Sequence, residues 1–231
     1  MKLSIVMPVY NEGEVIGKTI EGLERSVRTP HELLIVYDFD EDSTIIPAQI
    51  KKQKYKNIRL VKNIKGRGAL NAIKTGFGKA KGRAICVMMA DMTDDPRSID
   101  RMVSKFDDGY DLVAASRYMS DGRQMGGPLL KKTFSRLAGL SLHLLAGIPV
   151  HDVTNSFRLY SAGFLKNIKI ESDGGFELAL ELTAKAYIGG YKLAEVPTTW
   201  SYLSKTSRFQ FRKWLPKYLK WYLWLLQKKL C

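Results

Sequence analysis

Three short stretches of the sequence carry oxygen-bearing side chains directly after apolar runs. Asn11-Glu12 follows residues 3–9, Asp38-Phe39-Asp40-Glu41-Asp42 follows residues 32–37 (ELLIVY), and Asp91-Met92-Thr93-Asp94-Asp95 follows residues 83–89 (RAICVMM). If the runs are strands of one parallel sheet, their carboxyl ends open on a common crevice, where ligands bind. Carboxylates gathered there would hold a divalent cation or accept hydrogen bonds from sugar and base hydroxyls. Helix N-capping is the rival use for Asn11, for Asp40 or Asp42, and for Asp94 or Asp95, which all precede helical patterns. Asp38 and Asp91 come before any helix begins, which favours a ligand role for both.

The cationic residues point to an anionic partner. Lys plus Arg is 37 against 23 acidic residues, a net charge of +14. Such a balance fits a nucleotide, a phospholipid, nucleic acid or an acidic polymer. Lys65 and Arg67 flank a glycine turn. Arg117, Lys131, Lys132 and Arg136 cluster in the second half, and Lys132 and Arg136 share one helix face at i, i+4. They suit a lipid phosphate, or form an ordinary solvated face. Asp152 is a candidate general base should the chain's chemistry require a hydroxyl to be deprotonated. Two isolated cysteines and three scattered histidines give neither a disulfide framework nor a metal spacing. The N-terminal apolar run is too short for a signal peptide. No segment reaches the ~18 apolar residues needed to span a bilayer.

The elements that must position these groups alternate. Strand-like runs at 3–9, 32–37, 57–62, 83–89 and 111–115 are separated by helical patterns at 14–26, 43–53, 69–80 and 96–106. That order predicts an α/β fold with a mainly parallel, Rossmann-like sheet covered by helices on both faces. Beyond 115 the pattern is looser, with a helix at 130–146, a strand at 157–160, a helix at 176–189 and a strand at 193–197. Residues 1–200 read as one domain, with a regular first half (1–115) and a looser second half (116–200).

Residues 201–231 are basic and aromatic. Phe211, Trp214, Leu215, Tyr218, Leu219, Tyr222, Leu225 and Leu226 recur at helical spacing. A helix of this kind can lie flat in a membrane headgroup layer, or pack its stripe on the protein itself or a second subunit.

The ordered motifs resemble family-two glycosyltransferases of the GT-A fold, and among them the polyprenyl-phosphate mannosyl- and glucosyltransferases. Residues 8–12 read PVYNE. Residues 36–44 (VYDFDEDST) keep Val36, Asp38, Asp42 and Thr44 of a VDDxSxDxT element. The glycine turn is KGRGA at 65–69. The DAD metal motif is Met89-Ala90-Asp91. SRY stands at 116–118, a DxxSGFR-like element at 152–158 (DVTNSFR), EVP at 195–197 and an SKF-like loop at 207–209 (SRF). The first acidic residue of DAD is Met89, and the first of the DD pair is Tyr37.

The resemblance implies a nucleotide-sugar site built from Pro8, Tyr10, Glu12, Asp38, Lys65, Arg67, Gly68, Ala69 and Asp91. It implies Mg²⁺ or Mn²⁺ on Asp91 with Thr93, and catalysis by Asp91, Arg117 and Asp152. An acceptor site would use Arg117, Lys131, Lys132, Ser135, Arg136 and Arg208. The expected activity is metal-dependent, inverting transfer of a sugar from a GDP- or UDP-sugar to a polyprenyl phosphate. The alternatives are a hydroxyl of a lipid-linked glycan or surface polysaccharide as acceptor, and a weakly catalytic sugar-nucleotide-binding subunit. The expected setting is the cytoplasmic face of a membrane, peripherally bound, with no nucleic acid partner and with a second copy or a membrane protein as further partners.

Overall fold

The computed structural model describes residues 2–202 and 211–230. Its main sheet has seven strands in the order β3-β2-β1-β4-β7-β5-β8. They are β1 (Leu3–Pro8), β2 (His31–Tyr37), β3 (Ile58–Lys62), β4 (Ala84–Val87), β5 (Leu112–Ser116), β7 (Arg158–Ser161) and β8 (Leu193–Pro197). Six strands run the same way. β7 runs against both neighbours, with Cys86 opposite Leu159 and Val113 opposite Leu159 on the other side. A parallel core was expected; this antiparallel insertion was not.

Side chains alternate across a strand, and the two faces bury different helices. Leu3, Ile5 and Met7 of β1 join Leu33 and Ile35 of β2 against α1 (Ile16–Ser26), α2 (Ile45–Lys54) and α4 (Ser98–Asp107). Val6, Leu34, Val36 and Ile85 point the other way, onto α3 (Ala69–Lys79). Further along that face, Val87, Leu112 and Tyr160 meet α5 (Leu129–Ala146), α6 (Ala162–Asn167), α7 (Leu178–Ile188) and α8 (Phe211–Leu230). A two-stranded ribbon of β6 (Arg123–Met125) and β9 (Thr199–Ser201), which periodicity did not reveal, lies past the carboxyl end of β5, where the Thr198 N–H donates to the Ser116 carbonyl.

The amphipathic tail forms the expected helix, but part of its apolar stripe packs inward. Trp221 and Leu225 are fully packed. Tyr222 donates from its hydroxyl to Ser141 Oγ (2.9 Å) on α5, and Lys185 of α7 sits over the Trp221 ring. A longer exposed apolar stripe belongs to α5, where Leu130, Phe134, Leu137, Leu144 and Leu145 are each at least 46 % exposed. Among the described residues no helix is long and apolar enough to cross a membrane.

Candidate active site

The carboxyl ends of β1, β2, β3, β4, β5 and β8 share one edge of the sheet. β1 and β4 are neighbours from which the chain winds outward in opposite directions. That topological switch point is where an open α/β sheet binds its ligand.

On the donor side, Pro8 ends β1 and is buried, and Asn11 takes the left-handed conformation (φ 55°). The β2–α2 loop holds this turn: the Asn11 N–H donates to the Asp42 carboxylate (3.1 Å) and the Glu12 N–H to Thr44 Oγ1 (2.9 Å). Tyr10 stands 44 % exposed at the mouth, edge-on to Phe39, whose other contact is the Arg67 guanidinium at 5.1 Å. Arg67, placed by the sequence near phosphates, thus rests on an aromatic ring at the rim. Lys65, Gly68 and Ala69 are exposed on the same loop.

Asp38 accepts from Asn63 Nδ2 (2.7 Å) and from the Gly68 N–H (2.8 Å). Asn63 also donates to the Gly66 carbonyl and accepts from the Lys65 N–H and from Thr75 Oγ1. Gly66 and Gly68 have φ of 93° and 117°, which disfavours any side chain there. Asp38 and Asn63 therefore set the shape of a loop whose backbone can come close to a ligand. Asn63 went unremarked in the sequence, although it follows the last residue of β3 just as Asp38 follows β2.

Beyond β4, Met92 is left-handed (φ 59°) and the loop turns back on itself. Thr93 donates to Asp91 Oδ1 from both its N–H (3.2 Å) and its hydroxyl (2.7 Å). Thr93 is 5 % exposed and aims Asp91 with its hydroxyl. The capping alternative holds in part: Asp42 accepts the Thr44 N–H (2.8 Å) and Asp95 the Arg97 N–H (3.0 Å) at the turns leading into α2 and α4, while α1 has no side-chain cap. Asp95 accepts from the N–H of Arg97 and forms an ion pair with its guanidinium. Asp94 is buried, and its Oδ1 has no hydrogen-bond partner among the described residues. Burial, and then the Asp91 carboxylate, push its pKa up to about 7. An orphaned carboxylate oxygen beside a second carboxylate is the donor set a hard divalent cation satisfies, so these residues fit one.

The acceptor side is organised by Arg117 and Asp152. Asp152 is fully buried and takes Arg117 Nε at 2.7 Å and Nη2 at 3.0 Å. It also accepts the N–H groups of Arg117 (3.1 Å) and Asn155 (3.1 Å). Burial opposes its ionisation, but Arg117 outweighs that and holds the carboxyl below the usual carboxylate range. For Arg117 too, burial works against the charge, and Asp152 outweighs it and raises the pKa. The guanidinium reaches Ser135 Oγ (3.1 Å) and Thr154 Oγ1 (3.0 Å) and lies over the rings of Tyr118 and Trp200. Arg158, fully buried behind, donates to the Asp152 carbonyl and to Thr183 Oγ1. Asp152 cannot act as the proton-accepting base that the sequence suggested: a low-pKa carboxylate saturated by donors orients an arginine instead.

Lys131 and Lys132 are half-buried and Arg136 is exposed along α5, on the turns around Ser135. Arg208 lies outside the described residues. The structure thus brings Asp91, Asp94, Arg117 and Ser135 to one end of the sheet, with the Asp38 loop across the switch point.

The chain is similar to the dolichol-phosphate mannosyltransferase of Pyrococcus furiosus, 26% identical over 96% of this chain and 64% of the relative. It is similar to the dodecaprenyl-phosphate galacturonate synthase of Rhizobium johnstonii (30%, over 74% of this chain and 51% of the relative). A third relative is the polyprenol monophosphomannose synthase of Mycolicibacterium smegmatis (26%, over 94% and 85%). The chain thus spans less than two thirds of the length of the first two. Among solved structures, the fold resembles glucosyl-3-phosphoglycerate synthase from Mycobacterium tuberculosis, solved with Mn²⁺, UDP and its product. The TM-score is 0.71 at 17% identity, covering 99% of this chain and 80% of that one. The Glycosyl transferase family 2 model matches residues 4–169, and the chain belongs to that family.

Proposed function

We propose that this chain transfers a sugar from a GDP- or UDP-sugar to a polyprenyl phosphate at a membrane surface, with inversion at the anomeric carbon. The observation that carries the reading is the Arg117–Asp152 pair. A hydroxyl acceptor needs a base, and the buried carboxylate that could serve is saturated by donors. A phosphate acceptor is already a nucleophile and needs only a fixed cationic partner. Arg117 supplies that, held by Asp152, Ser135 and Thr154. Three relatives carry names of polyprenyl- or dolichyl-phosphate sugar synthases.

The donor would lie across the switch point, its base near Tyr10 and Asp38 and its diphosphate between the Gly66–Gly68 turn and Asp91. A divalent cation held by Asp91 would stabilise the charge that builds on the departing diphosphate. Lys65 lies on the same loop and would add positive charge. Asp91 is pre-aimed by Thr93, so little reorganisation accompanies binding.

Membrane contact would fall to α5 rather than to the tail helix alone. Its exposed leucines and Phe134 are flanked by Lys131, Lys132 and Arg136, and Leu219 and Leu223 of the adjoining α8 are exposed as well. Such a surface suits the headgroup layer of an anionic membrane. It would bring a lipid-borne phosphate toward Ser135 and Arg117, on the same helix and beside it.

The test is incubation with a panel of GDP- and UDP-sugars, Mn²⁺ and polyprenyl phosphate in liposomes, scored as label moving into the organic phase. A sugar–phosphate lipid is the expected product. Transfer only to glycan hydroxyls, or donor binding with no transfer to any acceptor, would overturn the reading.

A further inference from the structure

Asp94 has a geometry that its loop does not explain. The residue is 5 % exposed, Oδ1 has no partner among the described residues, and Oδ2 receives only the Met89 N–H, at 3.4 Å. Three charged groups lie around it: Asp91 and Asp152, which repel its charge, and Arg117, which attracts it. A buried carboxylate left half-satisfied beside another carboxylate is costly, and each such group in a folded protein calls for a reason.

The backbone keeps it there. Asp94 is bridged to Trp200, and the Ser201 N–H donates to the Thr93 carbonyl at 2.9 Å. The loop is thus clamped by β9 with one carboxylate aimed by Thr93 and another lying against residue 89. Residue 89, where the resemblance would put the first acidic side chain of a metal motif, is Met89.

We infer that Asp94 is the second protein carboxylate of the divalent-cation site, standing in for the acidic residue absent at position 89. The inference rests on the glycosyltransferase reading above for the presence of a cation. Two oxygen donors, one from each carboxylate, plus diphosphate oxygens and waters make a coordination shell for Mg²⁺ or Mn²⁺. Asp91 and Asp94 would repel each other less with a cation bound between them, and Oδ1 would gain its missing partner. A chain that lost one ligand at position 89 would in this way keep a two-carboxylate grip from the other end of the same loop.

Mn²⁺ binding in the presence of UDP or GDP, read as loss of the free-ion electron paramagnetic resonance signal, tests this without any turnover. Asp94→Asn is expected to weaken Mn²⁺ binding by about tenfold or more, the scale on which ligand and supporting-residue changes act. The same variant without metal should melt no lower than the parent, since an unpaired buried charge has gone. The double variant Met89→Asp with Asp94→Asn should regain most of the affinity. It also decides the matter if the single variant folds poorly. Binding of Mn²⁺ by Asp94→Asn within twofold of the parent would overturn the inference. So would a parent protein that binds no Mn²⁺ with either nucleotide. A parent that binds Mn²⁺ through Asp94 yet makes no sugar–phosphate lipid would leave this site standing and sink the proposed activity alone.

Discussion

Replacing Asp152 by Asn is the sharpest probe of the acceptor side. The change keeps the shape of the side chain but removes a charge that Arg117 meets at 2.7 and 3.0 Å. It also turns an amide NH₂ toward donors. Asp152 is 0 % exposed and the Arg117 side chain 11 %, so water cannot replace the lost partner. Breaking a buried pair from one side costs about 3–5 kcal/mol. At about 2–4 °C per kcal/mol for a chain of this size, the melting temperature should fall by roughly 6–20 °C. Calorimetry at pH 7 reads this directly. The double variant Arg117→Met with Asp152→Leu removes both charges and should recover most of the loss, while polyprenyl-phosphate use stays lost. The pH dependence has a definite sign. The folded-state pKa of Asp152 lies below its unfolded value, so its contribution is complete above pH ~4 and fades as pH falls through the folded value. The gap between parent and Asp152→Asn should therefore close in acid. A variant that melts within about 2 °C of the parent at pH 7 would mean a loss below ~1 kcal/mol and would refute a dry, arginine-fixing carboxylate.

Three further outcomes are expected. Leu137→Glu with Leu144→Glu should abolish liposome flotation and shift stability by no more than about 0.5 kcal/mol, as for exposed sites; Leu225→Ala, in the core, should cost about 2–5 kcal/mol and leave flotation intact. Gly139→Ala should lower the melting temperature and raise KM for the lipid acceptor, because a Cβ there would come within 1.8 Å of the His151 carbonyl and push α5 off the segment carrying Asp152. Thr93→Ala should weaken Mn²⁺ binding several-fold with little change in fold, since it removes the 2.7 Å hydroxyl bond that aims Asp91; unchanged affinity would show that Asp91 needs no such support.

The strands that carry the donor site were legible because each is a compact apolar run with a polar residue at its end. Asp38 and Asp91 could be singled out by position alone. Asn63 meets the same criterion, but a neutral amide carries no charge to mark it as a partner for a cation or a hydroxyl. Asp152 was misread for a different reason: its partner lies 35 residues upstream, and no local pattern records such a pairing. The direction of β7 was hidden too, because side-chain alternation is the same in parallel and antiparallel strands. Likewise a helical stripe of leucines and tryptophans reports that something covers it, not what. In α8 that cover is the protein's own α5 and α7, and the outward stripe lay on the helix read chiefly for its lysines.

The reversed strand has a consequence for how the chain is made. β5 comes off the ribosome early but touches no strand made before it; its neighbours are β7 and β8, from residues 158–161 and 193–197. β4 likewise keeps one edge open until β7 arrives, and unpaired edges invite association with other chains. The division into a first half and a second half, natural on the page, is therefore not a division into units that fold in turn. Nascent chains halted near residue 115 should be protease-sensitive and prone to clump, and protection should rise only once residues beyond 197 have left the exit tunnel.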